Sequence, residues 1–477
     1  MVSSKETMKN TNKMKSKSKG LSKKKKRKLR VSLIVAAAVV LILIGGGIYM
    51  NPLLPIITGY AAKNLASGVF VSGREQEDIE AVDLNFSFIK FTRNKVDPET
   101  KSVSSRFLWN RSTAIYQEGY GCTIVRDRTR DEILNRPPLA YRSTTALRLD
   151  VPWPEGDLIS PYMPANIDYT VLREAVKNAF GTEPPRNGTR ALIVIRDGQI
   201  VAEKYADGYD AETRLLSWSM AKSMTNALVG ILVKEGKIDI SQPVMMPGWE
   251  NDERALITWN DLLRMSSGLE WEEDYGNESD VNVMLHKVGD FGAYAADKPA
   301  LDPPDTKWNY SSGTSNIVCL KLRDYFASDA EYYHFPYDAL FSRINMNSVV
   351  FETDASGTFV GSSYVYATAR DFARFGLLYL NDGYWMGEQV LPEGWVSYSS
   401  APSDVSGGEY AAFFWSNASR ELPDAPADMY SCEGHDGQMI YIIPSRDLLV
   451  VRLGYSRSGT FDFNLMLREI LDAFPEN

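Results

Sequence analysis

The two side chains best placed for chemistry in this sequence are Ser219 and Lys222, three residues apart. They open the stretch SMAKSMTNALVGILVKEG, in which apolar residues recur at a helical spacing up to Gly236. Residues three apart lie on one face of a helix, so the hydroxyl and the amine can meet. A serine hydroxyl becomes a strong nucleophile when a base takes its proton, and a helix N-terminus offers N–H groups to a developing negative charge. The pattern therefore indicates acyl transfer with Ser219 as the nucleophile.

The S-x-x-K spacing is weak evidence by itself. It occurs three more times before residue 91, and a serine before an apolar run is usually only a helix N-cap. Two later motifs also carry reactive side chains: Tyr310 opens YSSG before an apolar helix pattern, and His435 and Gly437 precede the strand pattern QMIYII. Taken singly, each is equally typical of an ordinary turn. The chemical interpretation therefore depends on their combination.

Together these motifs resemble those of a known family. In order along the chain they are SMAKS (219–223), YSS (310–312) and HDG (435–437). They resemble the S-x-x-K, Y-x-N and K/H-x-G motifs of serine β-lactamases and penicillin-binding proteins. The similarity is closest to the class C β-lactamase-like branch, which includes esterases and 6-aminohexanoate-dimer hydrolases. The stretches 257–269 and 364–396 also resemble that branch, so the resemblance covers residues 162–477.

The resemblance implies a fold and a set of roles. The expected fold is α+β, an antiparallel sheet flanked by helices with a mostly helical subdomain. Lys222 is expected to be the base, with a pKa lowered by burial, and Tyr310 to relay a proton as a phenolate favoured by the lysine. The backbone N–H groups of Ser219 and Gln438 are expected to form an oxyanion hole. Gly437 is expected to let substrate approach the strand closely.

Two departures from the family pattern bear on the substrate. Ser312 stands where the family has Asn, and His435 replaces a lysine that would supply a fixed positive charge. Both changes predict inefficient β-lactam hydrolysis. Ser312 and the loop EDYGNESD (273–280) are similar to 6-aminohexanoate-dimer hydrolases, which implies that Tyr275 contacts the substrate. The expected substrate-binding residues are therefore Tyr275, Ser312, His435 and Gly437.

The N-terminal segment predicts a membrane anchor. Residues 1–30 contain 13 Lys or Arg and one acidic residue, so we expect a disordered basic tail. Residues 31–50 are uncharged and almost wholly apolar, long enough to cross a bilayer as an uncleaved signal anchor. The positive-inside rule then places the tail in the cytoplasm and residues from 51 onward outside the plasma membrane.

The remaining residues predict an acidic globular body. They carry 39 basic and 60 acidic residues, a net charge of −21, so we expect no nucleic-acid binding. Residues 51–161 are interpreted as an extension without assigned chemistry, with strands at 68–75, 112–127 and 145–153. Residues 162–477 are the predicted hydrolase domain. Its expected elements are a hairpin over 189–208, a second over 438–454 and a closing helix over 461–474.

Other functional classes have less support in the sequence. Three separated histidines without H-E-x-x-H and three cysteines without C-x-x-C predict neither a metal site nor a cofactor. A Ser-His-Asp hydrolase using His435 is disfavoured because no G-x-S-x-G occurs. The alternative that remains is a cell-wall peptide-binding module or sensor with this fold and an idle site. The favoured substrate is a small molecule or peptide with an amide or ester bond.

Overall fold

A computed structural model describes residues 3–161, 163–457 and 459–475 of the chain. Tyr162, where we placed the start of the hydrolase domain, lies outside the described residues. By its contacts the chain divides into two units, Met1–Leu54 and Pro55–Asn477.

The first unit is built from one helix, α1 (Ser3–Met50). Its part Lys23–Met50 contains an 18-residue stretch with a mean hydropathy of 2.8, long and apolar enough to cross a membrane. The helix also runs through the basic tail, for which the composition predicts disorder. Lysine is a good helix former, so the tail can continue the turns of the apolar segment.

The second unit contains thirteen more α-helices and fifteen strands among the described residues, besides short 3₁₀ and π segments. The helices are α2 (Leu54–Phe70), α3 (Gln76–Ala81), α4 (Arg130–Leu134), α5 (Tyr169–Asn178), α6 (Met220–Lys234), α7 (Trp259–Leu263), α8 (Asp280–Lys287), α9 (Phe291–Ala296), α10 (Ser312–Leu322), α11 (Asp329–Pro336), α12 (Ala369–Leu380), α13 (Trp395–Ser400) and α14 (Phe463–Leu471). The strands are β1 (Arg93–Asp97), β2 (Ser102–Phe107), β3 (Asn110–Gln117), β4 (Gly121–Ile124), β5 (Thr189–Arg196), β6 (Gln199–Tyr205), β7 (Leu215–Leu216), β8 (Val350–Phe351), β9 (Val365–Ala367), β10 (Tyr384–Trp385), β11 (Glu388–Gln389), β12 (Trp415–Ser416), β13 (Tyr430–Gly434), β14 (Gln438–Ile443) and β15 (Leu448–Gly454).

The centre of the second unit is a six-stranded antiparallel sheet. Its order is β12-β13-β14-β15-β5-β6, so strands from both ends of the hydrolase region pair side by side. Successive residues of a strand face opposite sides. Ile193 accordingly packs in the cluster with α6 and α12, whereas Leu192 packs in the cluster with α5 and α14. The expected α+β arrangement is confirmed.

Local patterns located several elements of this sheet correctly. The hairpin predicted over 189–208 is β5 and β6, joined at Asp197 and Gly198, which both have positive φ as a tight turn requires. The second predicted hairpin is β14 and β15, in register from Met439 opposite Arg452. The closing helix is α14, slightly shorter than its apolar pattern.

Two of the three strands predicted for the extension are wrong. Residues 68–75 end α2 and continue as a turn, because the short apolar run GVF extends an Ala-rich helix. Residues 145–153 form a loop, since Pro152 cannot donate to a strand ladder and makes only an isolated bridge with Leu158. The third prediction is right: residues 112–127 supply most of β3 and all of β4, within the four-stranded sheet β1-β2-β3-β4.

Candidate active site

Ser219 lies at the first turn of α6 and is 8% exposed. Ser219 occupies the N-cap position, but among the described residues its hydroxyl accepts no hydrogen bond from the backbone N–H groups of the first helical turn. The hydroxyl is therefore available for chemistry. It accepts a hydrogen bond of 3.0 Å from Lys222 Nζ. The i, i+3 spacing therefore brings the two groups into direct contact.

Lys222 is fully buried and held by three oxygens. Its Nζ donates to Ser219 Oγ, to Ser312 Oγ at 3.1 Å and to the carbonyl oxygen of Ser362 at 3.0 Å. Burial lowers the pKa of Lys222 from 10.5 to about 8, against the opposing charge of Glu273. At this pKa about a tenth of the amine is neutral at pH 7. The amine can therefore act as a base near neutrality.

Tyr310 completes the cluster around Lys222. Its ring centroid lies 4.8 Å from Lys222 Nζ, and its side chain lies beside Ser219. Burial raises the pKa of Tyr310 well above its usual value of 10, and the charge of Glu273 raises it further. The expectation of a phenolate favoured by the lysine is therefore corrected. The phenol is neutral, because desolvation and a nearby carboxylate both disfavour its anion.

Glu273 is a member of the site that the sequence analysis did not assign. Its carboxylate accepts hydrogen bonds from Ser312 N at 2.9 Å, Ser312 Oγ at 2.5 Å, Trp271 Nε1 at 2.5 Å and the Tyr275 hydroxyl at 3.2 Å. Ser312 thus connects the carboxylate with Lys222. Glu273 belongs to the loop EDYGNESD, which contains several acidic residues. Their spacing does not distinguish a carboxylate of the site from an ordinary exposed one.

The predicted substrate-contacting side chains border the same cluster. The Tyr275 ring stacks on His435 with centroids 4.6 Å apart, and His435 meets the Trp218 ring edge-on at 5.5 Å. Trp218 directly precedes Ser219. His435 Nε2 lies 3.5 Å from Asp436 Oδ1. Among the described residues, no hydrogen bond joins the His435 ring to Ser219. The Ser-His-Asp alternative therefore gains no geometric support.

The structure gives a reason for glycine at position 437 that differs from the expected one. Its φ is +85°, and a Cβ there would lie 2.4 Å from Arg452 Nη1 and 2.9 Å from the Phe463 ring. The space for a side chain is thus filled by the protein itself. Glycine is required here by packing beneath the strand, whatever approaches the strand from the cleft.

Two structural features bear on the expected oxyanion hole. Gln438 begins β14, and its side chain holds the preceding turn by donating to His435 O at 3.0 Å and Gly454 O at 2.7 Å. Gly434 of β13 packs against both Gln438 and the Ser217–Trp218 turn. The turn before Ser219 therefore lies against the edge of the sheet where β14 begins. Within the described chain, the backbone N–H of Ser219 donates to no other backbone group. Both backbone N–H groups thus belong to segments that meet at Gly434.

The chain matches the β-lactamase family model over residues 186–473, which is more than half of its length. It is 24% identical to a 6-aminohexanoate-dimer hydrolase of Paenarthrobacter ureafaciens over 296 residues, 56% of this chain and 72% of the relative. Among solved structures, it is similar to a Bacillus anthracis protein assigned as a 6-aminohexanoate-dimer hydrolase. That similarity has a TM-score of 0.53 and 20% identity, and covers 66% of this chain and 87% of the other.

A protein of Bacteroides dorei assigned as a β-lactamase is also similar, with a TM-score of 0.50 and 16% identity over 65% of this chain and all of the other. These structural likenesses show the fold. The family match covers the S-x-x-K helix and both later motifs, in the order that the sequence predicted. The chain belongs to the β-lactamase family of serine hydrolases.

Proposed function

We propose that this protein is a membrane-anchored hydrolase that cleaves an amide or ester bond through an acyl-enzyme on Ser219. The observation that carries the proposal is the 3.0 Å hydrogen bond between Ser219 Oγ and a buried amine whose pKa is lowered to about 8. A buried amine that is partly neutral near pH 8 can take the serine proton. An ordinary surface lysine would remain protonated there.

The chemical steps use the groups already described. Lys222 accepts the Ser219 proton while the serine oxygen bonds to the substrate carbonyl carbon. The resulting oxyanion is bound by the backbone N–H groups of Ser219 and Gln438, an arrangement in which each donor typically contributes about 3 kcal/mol. Tyr310 donates its proton to the leaving nitrogen or oxygen as the carbon–heteroatom bond breaks. The proton held by Lys222 then replaces the one that Tyr310 lost.

The acyl-enzyme is resolved by water. A water molecule attacks the acyl carbon, its proton returns to the Ser219 oxygen through Lys222 and Tyr310, and the acid product leaves. The overall reaction consumes one water and regenerates all three side chains. Burial of Lys222 serves both halves of the cycle, because the amine must give up and regain a proton near neutral pH.

The charge around the site supports linear amides or esters over β-lactams. Glu273 lies beside the Lys222 cluster, and His435 occupies the position of the family's lysine. A carboxylate-bearing β-lactam would meet a negative charge here without a fixed positive one. The relative from Paenarthrobacter ureafaciens is named for 6-aminohexanoate dimers, so linear aminohexanoate amides are candidate substrates. Tyr275, stacked on His435, is the proposed contact to the substrate amide.

The proposed location follows from the N-terminal helix. Lys23–Met50 has the length and composition to span a bilayer, and the basic residues lie on its N-terminal side. The positive-inside rule then leaves residues 1–30 in the cytoplasm and places the hydrolase domain outside. The substrate would be met on the extracytoplasmic side of the plasma membrane.

The test is a substrate panel with the detergent-solubilised full chain. The panel contains short p-nitrophenyl esters, a linear aminohexanoate amide, a D-amino-acid peptide and a chromogenic β-lactam. We expect ester and linear-amide turnover, little β-lactam turnover, and labelling by a fluorophosphonate that Ser219→Ala abolishes. Ser87→Ala is the matched control, because Ser87 and Lys90 share the S-x-x-K spacing and Ser87 is exposed. Absence of both turnover and labelling would overturn the hydrolase and favour the idle binding module.

A further inference from the structure

The helix α2 (Leu54–Phe70) lies outside the residues that match the β-lactamase family, yet it packs directly behind the candidate site. Most of its residues are buried, including Ala61, Lys63 and Ser67. Its Tyr60 ring stacks on Trp218 with centroids 6.4 Å apart and an interplanar angle of 23°. Because Trp218 precedes Ser219, the extension contacts the residue next to the nucleophile.

Trp218 has a strained backbone that needs support. Its φ is +44°, in the left-handed region that bulky residues rarely adopt. Such a conformation persists only where the surrounding structure holds it. Among the described residues, three rings pack near the Trp218 ring: Tyr60, Tyr364 with centroids 6.1 Å apart and His435 with centroids 5.5 Å apart. Of these, only Tyr60 comes from outside the family match.

A second contact from α2 supports the segment that holds Lys222. Lys63 Nζ lies 3.9 Å from the centroid of the Tyr364 ring and forms a buried ion pair with Glu352. Tyr364 lies two residues after Ser362, whose carbonyl oxygen accepts the hydrogen bond from Lys222. The helix α2 therefore contacts two segments of the site. One is the turn that carries Ser219, and the other is the segment of Ser362, which binds the Lys222 amine.

We infer that Tyr60 is a positioning residue for the proposed hydrolase, which holds the Trp218–Ser219 turn in its strained conformation. The inference rests on the proposed function. It makes residues 54–70 a part of the active centre, a role that the family match over 186–473 does not include. The described contact of Tyr60 with the site is its stacking on Trp218, so the proposed effect acts through the Trp218 ring.

Three substitutions in the full chain separate positioning from general packing. Tyr60→Leu removes the ring stacked on Trp218, and Tyr60→Phe keeps that ring without its hydroxyl. Phe70→Leu is the matched control, because Phe70 is also a half-buried aromatic residue of α2 but packs on Tyr116 of the extension, at 5.8 Å. The measurements are the thermal unfolding midpoint and kcat/KM for a p-nitrophenyl ester from pH 6 to 10.

We expect Tyr60→Leu to lower kcat/KM at pH 7 by roughly 10- to 100-fold, mainly through kcat, since small displacements of a nucleophile have effects of that size. Loosened packing at the Trp218–Ser219 turn should also let water reach Lys222, which would raise the apparent pKa of the kcat/KM profile from about 8 toward the ordinary lysine value of 10.5. The ionisable groups facing Lys222, Glu273 and Tyr310, are the same in every variant. Tyr60→Phe should restore wild-type kinetics, and Phe70→Leu should change only the unfolding midpoint.

The possible results are decisive. Wild-type kinetics and pH dependence for Tyr60→Leu, or equal losses for Tyr60→Leu and Phe70→Leu, would overturn the inference. In both cases an active wild-type chain and an inactive Ser219→Ala variant would leave the proposed function standing. A wild-type chain without turnover would instead overturn the proposed function and this inference with it.

Discussion

Ser312 Oγ donates a hydrogen bond of 2.5 Å to the Glu273 carboxylate and accepts one of 3.1 Å from Lys222 Nζ. One hydroxyl thus connects a carboxylate with a buried amine. Desolvation lowers the pKa of Lys222, whereas the charge of Glu273 raises it, and desolvation is the larger effect. The proton affinity of the proposed base is therefore set by a balance between burial and one carboxylate.

The pH dependence of ester hydrolysis should report Lys222. Only the neutral amine can accept the Ser219 proton, so kcat/KM should rise tenfold per pH unit below pH 8 and level off above it. The sign follows from a lowered pKa: protonation at low pH removes the base. Initial rates from pH 5 to 10 check this expectation. A flat profile between pH 6 and 9 would contradict a titrating lysine base.

Glu273→Gln should move that profile toward lower pH. The carboxylate stabilises the protonated amine, so removing its charge lowers the pKa of Lys222 further. At the same time Ser312 loses a charge-assisted acceptor, which should lower the plateau of kcat/KM by roughly tenfold. Glu272→Gln, at the exposed position directly before Glu273, is the matched control and should leave both values unchanged. A shift toward higher pH would refute the assigned sign.

Tyr310→Phe should affect amides more than activated esters. The proposed role of the phenol is to protonate the leaving group, and such proton transfers typically contribute about 10²- to 10⁴-fold. p-Nitrophenolate leaves without a proton, whereas an amide nitrogen cannot. The measurement is the comparison of kcat/KM for the two substrate types, because this constant reports acylation, the step in which the leaving group departs. Equal losses for both would indicate that Tyr310 acts on Ser219 rather than on the leaving group.

Lys63→Met should strongly destabilise the fold. The Lys63–Glu352 pair is almost completely buried, with side chains 3% and 0% exposed. Removing the lysine leaves a carboxylate uncompensated in the interior, which typically costs about 3–5 kcal/mol. Lys177→Met, in an exposed pair with Glu174, should cost about 0–1 kcal/mol. Urea unfolding followed by tryptophan fluorescence compares the two, and a Lys63→Met/Glu352→Gln double variant should recover part of the loss.

Gly437→Ala should lower both stability and turnover. The substitution places a Cβ at a φ of +85° and within 2.4 Å of Arg452 Nη1, so the buried Arg452 side chain or the start of β14 must shift. Gln438, the proposed oxyanion donor, is the next residue. We expect a lower unfolding midpoint and a fall in kcat, while Gly387→Ala, also at positive φ but in open space, should lower only the midpoint. An unchanged kcat for Gly437→Ala would argue against Gln438 as a donor.

The sequence by itself determined the features that depend on neighbours along the chain. The i, i+3 spacing placed Ser219 beside Lys222, and turn residues located the two hairpins of the central sheet. Such patterns report the period of an element and its ends, which local backbone geometry fixes. The same logic failed for residues 68–75, because a short apolar run fits a strand and a buried helix equally well.

Only the tertiary structure decided the features that depend on contacts between distant segments. Glu273 joins the site through Ser312, the Ser362 carbonyl holds Lys222, and Tyr60 supports Trp218 from the extension. The protonation of Tyr310 likewise follows from burial and from Glu273, neither of which has a signature at Tyr310 itself. The physical reason is that desolvation and charge act through space, so the state of a side chain is set by what the fold packs around it.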